Sequence, residues 1–177
     1  MKKLLLGLFV AAISSMSYAQ STNLYVGDHY DGNLYVYDTT GGGLPSLMAT
    51  ISLSGGSSGT IYGVYGLSLK PSTQEMYCVY DPGSGATSRR LGMVDTVTGA
   101  ITDIGGPGNL QDIAFYGDEL FGTTGNNDGW QFVRVDQTTG TYTAEYSHPY
   151  AGYSNCIWWN PYTGTELYKL SYGYGAF

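Results

Sequence analysis

Hydrophobic and polar positions along this chain fall into short runs that recur as a group. One group reads "GLSLKP" (Gly66 to Pro71), "EMYCV" (Glu75 to Val79) and "LGMVDTVTGAITDI" (Leu91 to Ile104). A second reads "DIAFYG" (Asp112 to Gly117), "ELFGT" (Glu119 to Thr123) and "FVRVDQTTGTYTAEY" (Phe132 to Tyr146). A third starts with "CIWWNP" (Cys156 to Pro161) and "ELYKL" (Glu166 to Leu170), so that Leu67, Ile113 and Ile157 hold equivalent places. Short apolar runs bounded by Gly, Pro, Asp and Asn read as strands joined by hairpins. We label the four runs of a unit a, b, c and d. The N-terminal stretch supplies "NLYVG" (Asn23 to Gly27) as b, "NLYVYD" (Asn33 to Asp38) as c and "LMATISL" (Leu47 to Leu53) as d, and lacks a run a of its own.

Four strands in each unit of roughly 40–45 residues predict an all-β array of four-stranded antiparallel blades, a β-propeller-like fold of about three to four blades. The units span about residues 22–60, 61–108, 109–150 and 151–177. No segment after the first twenty residues holds a helical periodicity. The composition agrees, with Gly and Tyr abundant and charged residues at 12%. Tyr, Val, Ile and Thr suit half-buried pleated surfaces, and Gly, Asn and Asp suit tight turns.

Between runs c and d the chain writes D-x-x-T-G at Asp95 to Gly99 and again at Asp136 to Gly140, with an earlier echo at Asp38. A carboxylate at the end of strand c can accept backbone N–H groups inside the turn. The glycine offers the positive φ that a short bulged hairpin requires. Asp38, Asp95 and Asp136 are therefore expected to be turn residues.

The combined rhythm, G-[LI]-[AS]-[FL] followed by E-L-Y and then V-D-x-x-T-G, resembles the repeats of exported bacterial propellers in the YVTN and quinoprotein-like superfamilies. That resemblance covers residues 20–177 and implies a propeller. It implies no one activity, because propellers host binding, catalysis and scaffolding alike.

The first residues suggest export. Lys2 and Lys3 precede an apolar run from Leu4 to Ile13, and Ser17-Tyr18-Ala19 offers small residues for signal-peptide cleavage after Ala19. The expected location is the periplasm, the cell surface or the extracellular space, with no transmembrane segment after that removal. The formal net charge is −7, and losing Lys2 and Lys3 makes it more acidic, so nucleic acid is not an expected partner. Cys78 and Cys156 fall in units separated by a whole blade, which predicts that they do not pair.

Candidate chemistry follows from topology. In such a blade the b–c loops and the d-to-a connections share one face, and the D-x-x-T-G turns lie on the other. The loop face collects Asp28, His29, Asp31, Asn126, Asp128, His148 and Tyr150. His29 and His148 with Asp28 and Asp31 would suit metal or acid–base chemistry, yet their spacing matches no metal signature and solvated loop histidines account for them more simply. Asp28-x-x-Asp31-x-Asn33 and Asn126-Asn127-Asp128-Gly129 are the best candidates for Ca2+, although tight turns also use these residues. No other cofactor is expected. "GGSSG" (Gly55 to Gly59) matches a nucleophile-elbow pattern but precedes no helix. Trp130, Trp158 and Trp159 could stack on sugars or pack between blades. Alternation counted back from Phe177 fails at Leu170, Tyr172 and Tyr174, which argues against an outer-membrane barrel.

The functional expectation is a non-catalytic binding module whose ligand is a protein, peptide or glycan. The alternative is a propeller-type metal-assisted hydrolase or lactonase using the loop face. Too few strands to surround a channel, with open blade edges, predict either a truncated propeller or a homo-oligomer that closes through those edges.

Overall fold

The computed structural model describes residues 23–40, 43–83, 88–125, 128–147, 154–159 and 167–172, with Ile157 the only described side chain in the last two segments. Apart from a single helical-turn residue, Asp128, their regular structure is strand. In chain order the strands are β1 (Asn23–Gly27), β2 (Asn33–Asp38), β3 (Ser46–Ser52), β4 (Ser54–Gly55), β5 (Gly59–Thr60), β6 (Gly63–Leu69), β7 (Met76–Asp81) and β8 (Arg89–Val94). They continue as β9 (Ala100–Gly108), β10 (Leu110–Tyr116), β11 (Glu119–Thr124), β12 (Gln131–Val135), β13 (Tyr142–Ser147), β14 (Ser154–Trp159) and β15 (Leu167–Tyr172). Four sheets result, ordered β1-β2-β3, β5-β4-β9-β8-β7-β6, β10-β11-β12-β13 and β14-β15. Runs a to d are thus β6 to β9 in the second unit and β10 to β13 in the third.

The registers repeat as the strands do. Leu67 faces Cys78, Cys78 faces Gly92, and Gly92 faces Asp103. One unit later Ile113 faces Gly122, Gly122 faces Val133, and Val133 faces Ala144. The first unit follows suit from strand b onward, with Val26 opposite Tyr35 and Tyr35 opposite Thr50. Because side chains alternate across a strand, equal register puts equivalent residues on the same face of every sheet.

Both faces of the middle sheets are covered, so apolar burial happens between units. Leu34 of the first unit packs with Met76, Cys78 and Tyr80 of the second. Tyr77, Val79 and Leu91 on the opposite face pack with Ile113, Phe115 and Leu120 of the third. Ala114 and Phe121 then meet Ile157 of the last unit. This is sheet-on-sheet packing repeated around an arc, a propeller-like arrangement.

The a strands β6, β10 and β14 lie side by side. Gly66 allows this approach, since a Cβ there would sit 2.9 Å from the Asp112 Cα. Side chains fasten neighbouring a strands to one another. The Phe115 N–H donates to Ser68 Oγ at 3.0 Å, and the Ile157 N–H donates to Asp112 Oδ2 at 2.8 Å.

The D-x-x-T-G turns behave as turn chemistry requires. Asp95 Oδ1 accepts the N–H groups of Val97 and Thr98 at 2.8 and 3.0 Å. Asp136 Oδ1 accepts those of Thr138 and Thr139 at 2.8 and 3.1 Å. These bonds hold the Asp95 carboxyl below its ordinary range, whereas at Asp136 the Thr138 hydroxyl leads and the same backbone bonds follow. Gly99 and Gly140 have φ of 76° and 72°. Each glycine also abuts the preceding unit, Gly99 against the Ser52 carbonyl and Gly140 against that of Gly105. The motif joins units as well as strands.

One segment departs from the sequence expectation. Within the connection from run d of the first unit to run a of the second, expected as a loop, residues 54–60 form the hairpin β4–β5, and β4 pairs in parallel with β9 on the outer edge of the second sheet. The anchor is Tyr80, whose hydroxyl accepts the Ser57 N–H at 3.0 Å and donates to Asp103 Oδ1 at 2.5 Å. Arg90 grips the same carboxylate bidentately, at 2.8 and 2.7 Å. The Arg90 hydrogen bonds, supported by Tyr80, hold the Asp103 carboxyl below its ordinary range. A carboxyl with a folded pKa below its unfolded one stabilises the fold above the unfolded value, and that stabilisation disappears as pH falls through the folded value. The melting-temperature gap between wild type and Asp103→Asn should therefore be widest near neutrality and close in acid; a gap independent of pH would contradict this.

Cys78 is a free thiol, fully buried, and burial pushes it up to about 12. The side chain of Cys156 lies outside the described residues.

Candidate functional site

The b–c connection of the first unit, residues 28–32, leaves β1 and returns as β2. Asp28 Oδ1 accepts the Tyr30 N–H at 2.6 Å, while the Asp28 carbonyl accepts the Val64 N–H of β6 at 2.8 Å. Asp31 Oδ1 accepts the Asn33 N–H at 3.0 Å, and its Oδ2 accepts the Tyr35 hydroxyl. The Tyr35 bond leads the effects that lower the Asp31 pKa from its ordinary value. Both aspartates thus serve the turn, as an Asp placed two residues before an amide often does.

The turn delivers His29 against β6. Its ring lies 4.2 Å from that of Tyr65 and stacks on Tyr30 at 4.3 Å with an interplanar angle of 15°. Tyr30 is 84% exposed, so this ledge ends in a flat ring open to solvent. On β8, the Arg89 guanidinium sits 3.5 Å from the Tyr65 ring centroid. Arg89 is only 5% exposed, donates through Nη1 to the Leu110 carbonyl at 3.1 Å, and has no hydrogen-bond partner at Nε among the described residues. Burial lowers the Arg89 pKa, while Tyr65 acts against that shift. A cavity of about 210 Å³ opens beside Tyr65, bounded also by Gly27, Gly66 and Asp112. Asp112 belongs to the scaffold there, since its carboxylate holds the Ile113 N–H at 2.9 Å as well as that of Ile157.

Asp28, His29 and Asp31 are therefore brought together in one loop. Asp128 is drawn into its own unit, where its Oδ2 accepts the Tyr142 hydroxyl at 2.5 Å. Nearby, Trp130 takes a left-handed φ of 51°. Asn126, His148 and Tyr150 lie outside the described residues. Among the described residues no three His, Cys, Asp or Glu side chains group as a metal site would need.

Sequence reasoning missed Tyr65 and Arg89. A signal existed for the second. Arg89 and Arg90 are adjacent on a strand in a chain with only 7 basic residues, so they must point to opposite faces. Arg90 meets Asp103 on one face and Arg89 meets Tyr65 on the other. Tyr65 carried no comparable mark, being one of 18 tyrosines.

No family model matches the chain. No curated protein matches it either. Among solved structures, the chain is similar to a Bacteroides fragilis protein assigned as a 6-phosphogluconolactonase, at 17% identity and a TM-score of 0.39. The match covers 70% of this chain and 35% of that one. Among the described residues no helix is long and apolar enough to cross a membrane.

Proposed function

We propose that this is an exported, non-catalytic propeller-type binding module that takes a protein, peptide or glycan ligand on its loop face. The observation that carries the reading is the ledge from Tyr30 through His29 to Tyr65, with Arg89 against Tyr65. A flat exposed ring on a rigid backing suits stacking against a sugar face or an aromatic or proline side chain. The turn duties of Asp28 and Asp31 support binding over acid–base chemistry, because Asp28 Oδ1 and both oxygens of Asp31 are already engaged.

Capture on glycan and peptide arrays tests this. Removing a stacking ring forfeits about 1 kcal/mol, or roughly fivefold in affinity. Tyr30→Ala should weaken the array signal by about that factor with its melting temperature unchanged. Hydrolysis of a lactone by the wild type, lost in His29→Ala, would contradict the reading and favour the hydrolase.

A further inference from the structure

The first sheet presents to solvent a face that its counterpart in the second unit buries. In the second unit, Met76 and Cys78 of strand b point toward the first unit and are 8% and 0% exposed. The shared register places Leu24 and Val26 at the matching positions of β1. These are 46% and 40% exposed. The same face continues across the sheet, because Leu24 lies opposite Tyr37, and Tyr37 opposite Leu47, itself 54% exposed. Its next rung is Val26, Tyr35 and Thr50. Neither rung contains a charge. Burial there would therefore strand no unpaired ion, although the chain as a whole is acidic.

The edge of this sheet is open as well. Among the described residues β1 pairs only with β2, and a cleft of about 330 Å³ runs beside it, walled by Leu24, Tyr25, Leu67 and Met76. Where a strand a stands in the second and third units, the first has a groove.

Three interfaces between successive units already run along the arc, each joining the far face of one sheet to the near face of the next. The Leu24–Tyr37–Leu47 face is the next surface in that series. Its natural cover is another sheet of this same repeat. We propose that a second copy of this chain docks here, its terminal sheet β14–β15 taking the place that a preceding unit holds elsewhere. The contact is heterologous, joining the β1–β2–β3 sheet of one chain to the β14–β15 sheet of another, so it closes a ring when the rotation permits.

Light scattering after size exclusion tests this on the purified protein. Wild type should elute as an assembly of two or more chains, and Leu24→Lys combined with Leu47→Lys should be monomeric. Both side chains are half exposed, so circular dichroism and the melting profile of the double variant should match those of a folded protein. An assembly of any size that dissolves in the double variant supports the docking. A wild-type monomer at every concentration would overturn it, as would an assembly that the two lysines leave intact.

Discussion

Gly140→Ala should destabilise the protein far more than Gly117→Ala, although both glycines have positive φ, 72° and 55°. The backbone conformation alone costs an L-residue about 1–2 kcal/mol. A Cβ at Gly117 meets nothing within 4 Å, so that substitution carries the conformational cost only. At Gly140 the added carbon would lie 2.5 Å from the Gly105 carbonyl oxygen and 2.8 Å from the Gly106 nitrogen. Those atoms are backbone, held in β9, and they cannot step aside as a side chain would. Forced separation of the two units should raise the loss to about 2–5 kcal/mol in total. Thermal or urea melts of the two variants measure the difference. Equal losses would mean that the D-x-x-T-G glycine only shapes its own hairpin and does not join units.

The second large effect is expected at Asp112. Its two carboxylate oxygens accept the Ile113 and Ile157 N–H groups, the latter from the neighbouring a strand. Asp112→Leu keeps much of the volume and removes both acceptors. Leaving such donors without partners costs on the order of 2–4 kcal/mol. Asp112→Asn retains one acceptor oxygen and should lose less. Amide exchange at Ile157 provides the local readout. Faster exchange there in Asp112→Leu, with the β11–β12 amides less affected, is the predicted pattern. Unchanged protection at Ile157 would show that the carboxylate does not hold the last sheet.

Most of the fold was readable because its determinants are local. The Asp and Gly of each c–d turn select the hairpin over five residues, and the alternation of the flanking runs then sets the register. The alternation within runs a and b likewise carries the alignment of Leu67 with Ile113 and Ile157 into equal pairing in three sheets. The hairpin β4–β5 escaped notice for the opposite reason. "SGGSSGT" carries no apolar alternation, and its place depends on Tyr80, Arg90 and Asp103 from distant parts of the chain. The candidate site was half legible. Asp28, His29 and Asp31 announce themselves as a polar cluster in a loop, whereas Tyr65 joins them only because β6 lies beside the first unit, and Arg89 only by stacking on Tyr65. The same nonlocality gave the D-x-x-T-G glycines a second task, against the preceding sheet, that turn chemistry alone does not reveal.

Under the proposed function labour is divided: the D-x-x-T-G turns build the arc, and the opposite face binds. The array signal per folded molecule tests it most directly, comparing a variant with both Asp95→Ala and Asp136→Ala against one with both His29→Ala and Tyr30→Ala, well below the melting range of each. The turn variant should bind as wild type does once normalised to folded protein, while the His29 and Tyr30 variant should lose capture. Capture lost in the turn variant and kept in the other would contradict the account.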